Sequence, residues 1–290
     1  MVFKAELLYW QLPLMTYSST FSRRAFGAMM LGTTAACATV PVSNLDVSEP
    51  VQFADGYGPI FDSGYQLAGI PPEYTQGINR RMTGVYLGEA PPNSIDVDPY
   101  AKFLYHVKDD GTAVRYPVGV GRAGKSFSGN GIIQVKKKWP GWTPTANMLR
   151  TEPDVYGPFA KGIPGGLRSS LGAAALYLYR NGRDTYYRIH GTNDLESIGN
   201  SGSAGCIRLF NHDIIHLYKA VEIGVKVHVR SEEESLRVDP ENYLRGVELP
   251  PKRVDPEDIY GEEALANDHP PDFDAVDPAM VFDEANVPLQ

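Results

Sequence analysis

The 290-residue sequence predicts a mainly β body that carries one well-defined helix, with a leader before it and an acidic tail after it. Three observations predict this. Two hairpin signals sit between alternating strands, one stretch has a 3.6-residue apolar period, and the charge is concentrated in the last 60 residues.

The first hairpin joins residues 102–107 to 114–120 through Asp109-Asp110-Gly111. The second joins residues 174–179 to 185–190 through Asn181-Gly182, a pair whose tolerance of positive φ suits a tight turn. Alternation along the last of these strands puts Thr185, Tyr187 and Ile189 on one face and Tyr186, Arg188 and His190 on the other. The helix follows Cys206. Asn211 is its expected N-cap, Asp213 lies in its positive first turn, and Ile214, Leu217, Tyr218 and Val221 form its buried stripe. Gly224 ends it and residues 225–229 read as a closing strand.

Charge separates the parts. Residues 231–290 carry 17 acidic and 4 basic residues, so the remainder is net +5 within a chain of net −8. The proline-studded acidic stretch, with Pro250-Pro251 and Pro270-Pro271, reads as a disordered tail. Residues 41–92, rich in Pro, Gly and Ser, read as a spacer or loose lead-in. No dense Lys/Arg face calls for a nucleic acid.

Near the start, Ser22-Arg23-Arg24-Ala25-Phe26 precedes an apolar run over residues 26–36. The run is too short to span a bilayer of about 30 Å, but it fits a signal segment, and the paired arginines resemble a twin-arginine export signal. Such signals begin near the initiator, which points to Met15 as the start. Thr34-Ala35-Ala36-Cys37 resembles a lipoprotein box that would lipidate Cys37 and anchor it to a membrane; ordinary cleavage after Ala38 is the rival. Residues 1–40 are thus expected to be an export signal, with the body periplasmic or in the cell envelope.

The chemistry is expected where His190-Gly191-Thr192 ends a strand and Ser203-Ala204-Gly205-Cys206-Ile207-Arg208-Leu209 follows a glycine-rich connection. A thiol is a nucleophile only as thiolate, and an imidazole either takes its proton or holds it as an ion pair. Backbone N–H groups near Gly205 and Cys206 are placed to stabilise an oxyanion, and Gly205 leaves room for substrate. Ser203 is expected to hydrogen-bond within the turn. Arg208 stands either to hold a substrate carboxylate or to brace the turn. Trp139, Trp142 and Tyr156 are candidates to line a cap over the cleft, or else ordinary loop packing. His212 and His216, at i and i+4, match a zinc pair only loosely and are expected at the boundary between the apolar stripe and solvent. His106, His228 and His269 receive no role.

These motifs, together with Tyr116-Pro117-Val118-Gly119-Val120-Gly121-Arg122, Trp139-Pro140-Gly141-Trp142-Thr143-Pro144 and Leu171-Gly172-Ala173-Ala174, resemble the YkuD-type L,D-transpeptidase catalytic domain over residues 93–230. Ala204 stands where many members have a second His, and Arg168-Ser169-Ser170 replaces an Asn-Pro-like pair. The resemblance implies a β-sandwich-like catalytic fold and acyl transfer on peptidoglycan stem peptides without a cofactor. It implies Cys206 as nucleophile, His190 as base and acid, and the Gly191 carbonyl as the group that orients the imidazole. Cross-linking, protein attachment and hydrolysis remain open as outcomes. A non-catalytic wall-associated lipoprotein and a protein-cleaving cysteine hydrolase are the rivals.

Overall fold

The computed structural model describes residues 51–121, 127–202, 206–250 and 252–266. The leader, Cys37, Arg122, residues 203–205, Pro251 and residues 267–290 lie outside the described residues.

The body is mainly β, as expected. A short hairpin, β1 (Ile60–Asp62) and β2 (Tyr65–Leu67), precedes the main sheet. That sheet contains β3 (Met82–Val85), β4 (Ser94–Asp98), β5 (Phe103–Val107), β6 (Thr112–Pro117), β7 (Gly119–Val120), β8 (Gly129–Lys138), β9 (Ala174–Arg180), β10 (Arg183–Thr192), β11 (Ile207–Phe210) and β12 (Lys226–Val229). Their order is β3-β6-β5-β4-β12-β8-β9-β10-β11-β7. Only β4 with β12 and β10 with β11 run parallel. The short helices α1 (Ala146–Thr151) and α2 (Pro153–Tyr156) lie between β8 and β9, and α3 (Asn211–Ala220) follows β11.

Both expected hairpins form. β5 and β6 pair from Phe103↔Pro117 to Val107↔Ala113. β9 and β10 turn at Asn181 and Gly182, with φ of 51° and 72°, the left-handed values a two-residue turn of this kind requires. An irregularity between Asp184 and Arg188 turns Tyr186 out to solvent, while Ile189 stays in the core and Arg188 and His190 share the opposite face.

The sheet folds over on itself. β6 and β10 stand six places apart, roughly 29 Å in a flat sheet at 4.8 Å per strand. Yet the Tyr116 hydroxyl of β6 lies 2.7 Å from His216 Nδ1 on α3, the helix packed on β9 and β10. One core therefore joins Val97, Leu104 and Tyr116 to Ile133, Leu178, Ile189, Leu209, Ile214 and Leu217.

Two expectations fail within the described residues. Residues 51–92 are not a loose spacer: Tyr57 is fully buried with Phe210, and its hydroxyl donates to Asp213 of α3 at 2.9 Å. Arg81 pairs with the same carboxylate at 3.1 Å. The chain after residue 230 also continues into structure. Arg230 is buried between Asp96 and Asp98 of β4, and Ser235 donates to Asp98 at 2.6 Å. This anchors α4 (Glu232–Val238), which Ser231 and Glu234 start with a reciprocal capping box. The helices α5 (Glu257–Tyr260) and α6 (Glu262–Ala266) follow. Net acidity concealed these short local signals, because composition averages over caps and single buried anchors.

Candidate active site

The site is built by strand register. β10 and β11 pair in parallel, with Ile189 opposite Ile207 and His190 opposite Arg208. Extending that register by one residue sets Cys206 opposite Arg188, so Arg188, His190, Cys206 and Arg208 all face one side. A strand spacing of about 4.8 Å and a two-residue rise of about 6.6 Å place His190 and Cys206 on a diagonal of roughly 8 Å between Cα atoms. An imidazole and a thiol span that gap.

His190 is 5% exposed, and its Nδ1 donates to the Gly191 carbonyl at 2.6 Å. That bond fixes the ring and commits the other nitrogen, Nε2, to accept a proton. Burial pushes the imidazole down to about 4, and the nearby Arg208 and Arg188 guanidiniums push it the same way. Cys206 is a free, half-buried thiol. Burial pushes it up, against a hydrogen bond from the Arg188 backbone and the charges of Arg188 and Arg208. Both groups are therefore neutral at pH 7. Burial thus opposes the charged form of both groups, which disfavours a standing ion pair between them.

A clamp of small residues holds the His-bearing strand. The sequence assigns Asn211 to the N-cap of α3; in the structure Phe210 takes that position and the Asn211 side chain turns into the core instead. Its Oδ1 accepts from the Ala173 N–H at 2.9 Å, and its Nδ2 donates to Asn193 Oδ1 at 2.9 Å. A Cβ on Gly172 or on Gly191 would lie 2.2 Å from Asn211 Oδ1, and Gly172 also has φ of +61°. Those two glycines thus let β9, β10 and α3 meet directly behind His190. Ser169, in the segment that departs from the family pattern, is fully buried and donates to the Pro140 carbonyl at 2.6 Å.

The other expected residues are placed as follows. Arg208 pairs with Asp194 at 3.2 Å, a partner in the connection between β10 and β11 that the sequence reading missed. Arg188, which the sequence places on the His190 face, is held by both Asp184 oxygens at 2.7 Å, a partner the sequence reading did not name. Trp142 packs on Tyr156 and on the cluster of Phe159, Ile163 and Ile259, and bonds through its backbone to Ile163, which is the packing reading. Ser203 and Gly205 lie outside the described residues. His212 does not sit at the solvent boundary. It is 3% exposed, with Nε2 at 2.8 Å from the Gly58 carbonyl, because the lead-in covers that face of α3. His216 is engaged by Tyr116, so neither imidazole is presented to a metal. Among the described residues no cluster of three His, Cys, Asp or Glu forms a metal site, and no helix is long and apolar enough to cross a membrane.

Residues 92–229 match the sequence model of the YkuD family, the L,D-transpeptidase catalytic domain. Over 142 residues the chain is 34% identical to Probable L,D-transpeptidase YbiS of Escherichia coli K12, covering 48% of this chain and 45% of that protein. Probable L,D-transpeptidase ErfK/SrfK of the same strain is 32% identical over 142 residues, covering 48% and 44%. The chain thus aligns with about half the length of these relatives. A crystal structure of a Brucella melitensis protein named a probable carnitine operon oxidoreductase is 39% identical and covers 53% of this chain and 95% of that one, with a TM-score of 0.38.

Proposed function

Residues 92–229 belong to the YkuD family of L,D-transpeptidase catalytic domains, and from that premise we propose that this protein is a cysteine acyltransferase of peptidoglycan stem peptides, working outside the cytoplasm. The observation that supports it best is the shared face of His190 and Cys206, with His190 Nδ1 committed to the Gly191 carbonyl.

In this reading Cys206 Sγ attacks the carbonyl of the third stem-peptide residue while His190 Nε2 takes the thiol proton. The Cys206 N–H, with that of Gly205, is the proposed donor to the oxyanion. Collapse breaks the amide bond, and His190 returns the proton to the departing D-alanine amine. An acceptor amine then attacks the thioester, gives its proton to His190, and the sulfur leaves with it. Water in place of the amine makes the same site an L,D-carboxypeptidase. Arg208, held by Asp194, stands on the face that carries Cys206 and His190, and Trp142 packs the neighbouring loop. Acyl transfer of this kind asks for no cofactor and no metal. Residues 1–40 serve as the export signal, with Cys37 as a lipid anchor, and residues 93–230 as the catalytic domain.

Mass spectrometry of muropeptides incubated with the purified protein tests the reading. Wild-type protein is expected to release D-alanine from tetrapeptide stems and form new cross-links, and Cys206→Ala to do neither while keeping its thermal transition. Turnover retained by Cys206→Ala refutes it. Cys37→Ser is expected to move the protein from the membrane to the soluble fraction; unchanged sedimentation refutes the anchor.

A further inference from the structure

The chain after β12 returns to the active site. From Arg245 it runs beside the connection that leads to Cys206, as the parallel bridges from Val120 to Ser201 and from Ser201 to Glu248 record. The Ser201 N–H donates to the Val247 carbonyl at 2.9 Å, and the Leu249 N–H donates to the Ser201 carbonyl at 2.7 Å. The connection is therefore held from both sides, by β7 and by this segment. Three residues on from Leu249, Lys252 Nζ lies 3.3 Å from Asp194 Oδ1, while Asp194 Oδ2 holds Arg208. Further on, Ile259 is buried with Phe159 and Ile163, and the Tyr260 hydroxyl donates to the Gly162 carbonyl at 3.0 Å. Residues 245–250 and 252–260 thus contact both the connection that leads to Cys206 and the loop that carries Trp142.

We propose that Lys252 and Asp194 are positioning residues that set how much positive charge Arg208 presents to Cys206 and His190. The charged groups facing the thiol support this. From β10 comes Arg188, whose guanidinium is committed to both oxygens of Asp184. His190, on the same strand, is neutral. From β11 comes Arg208, whose partner Asp194 is divided between it and Lys252. Arg208 is therefore the adjustable cation. Without Lys252 the Asp194 carboxylate serves Arg208 alone and cancels more of its charge; without the carboxylate, Arg208 acts undiminished.

The proposal rests on Cys206 being the nucleophile, but its test reads the thiol directly, without substrate, and so fails separately from the peptidoglycan reading. The measurement is the iodoacetamide alkylation rate of Cys206 against pH in the full chain, followed on the Cys206 peptide by mass spectrometry. Lys252→Ala is expected to move the midpoint up and slow alkylation about twofold at pH 8, and Asp194→Asn to move it down and speed alkylation about two- to threefold. Lys252→Arg restores the wild-type profile. Since Lys252 is 64% exposed, 1 M salt is expected to abolish most of its effect. Lys252→Glu leaves the Asp194 turn untouched and is expected to slow alkylation more than Lys252→Ala does. Shifts of the same sign for Lys252→Ala and Asp194→Asn, or no shift from Lys252→Ala and Lys252→Glu, overturn the proposal.

Discussion

Gly191→Ala tests whether the site depends on close packing behind His190. The new Cβ would stand 2.2 Å from Asn211 Oδ1, 2.9 Å from Ile214 Cγ2 and 3.0 Å from the Ala173 nitrogen. The first neighbour is no free end, because Ala173 and Asn193 fix both ends of the Asn211 amide. Either β10 moves by about 1 Å or the amide rotates, leaving the buried Ala173 N–H unpaired at a cost of about 1–3 kcal/mol. Overpacking adds about 1–3 kcal/mol. A total near 3–4 kcal/mol, at about 2–4 °C per kcal/mol for a domain of this size, lowers Tm by about 6–16 °C. A strand shift of that size also displaces the carbonyl that holds His190 Nδ1, and about 1 Å of misplacement is worth roughly a hundredfold in kcat. Scanning calorimetry and D-alanine release measure the two effects. Asn211→Ala removes the worst contact, so Gly191→Ala is expected to cost less in that background. A Tm within 2 °C of wild type, or strictly additive effects in the double variant, refutes the reasoning.

Other consequences follow from single features. A general base must be neutral, and burial moves His190 down to about 4. The acid limb of kcat/KM is therefore expected near pH 4 rather than 6.5, and a difference spectrum at 240 nm should show no thiolate at pH 6; a limb above pH 6 contradicts the neutral pair. Arg81→Ala leaves Asp213 buried without its cation, and since Arg81 is 20% exposed the loss is expected to be about 2–3 kcal/mol by urea titration. The carboxyl, already pushed up to about 7 by burial, then rises further, so the deficit is expected to grow from pH 5 to pH 8; a pH-independent loss argues against it. Ser231→Ala removes the α4 cap and is expected to cost about 1 kcal/mol, whereas a disordered tail would register nothing. Trp142→Ala is expected to lower Tm while leaving the Cys206 alkylation rate within twofold of wild type; a tenfold change would place the indole at the thiol instead.

The sequence exposed those parts of the fold whose signals are local. Asn181-Gly182 between alternating runs, the stripe of α3 and the sulfur preceded by glycine all report themselves within a few residues. β8 escaped because Gln134 and three successive lysines disrupt its alternation; its burial is settled by β12 on one side and β9 on the other. β4 escaped because it buries Asp96 and Asp98, whose partner Arg230 lies 134 and 132 positions away. A buried carboxylate with so distant a cation looks like a surface residue in any window.

The same separation of scales governs the site. The proposed nucleophile and base, Cys206 and His190, were legible because their types and 16-residue spacing are properties of the chain. Arg188 and Arg208 were visible beside them, but the partners that set their charge were not: Asp184 and Asp194 meet them only in the fold, and Lys252 reaches Asp194 across 58 positions. A reading confined to motifs finds the atoms that react and misses the fields around them. Here those fields matter more than usual, because burial opposes ionisation of the sulfur and only the two guanidiniums and one backbone bond oppose burial. Reactivity therefore depends on how fully Asp184 and Asp194 neutralise those guanidiniums, and the second of these carboxylates is shared with a segment that composition alone assigns to disorder.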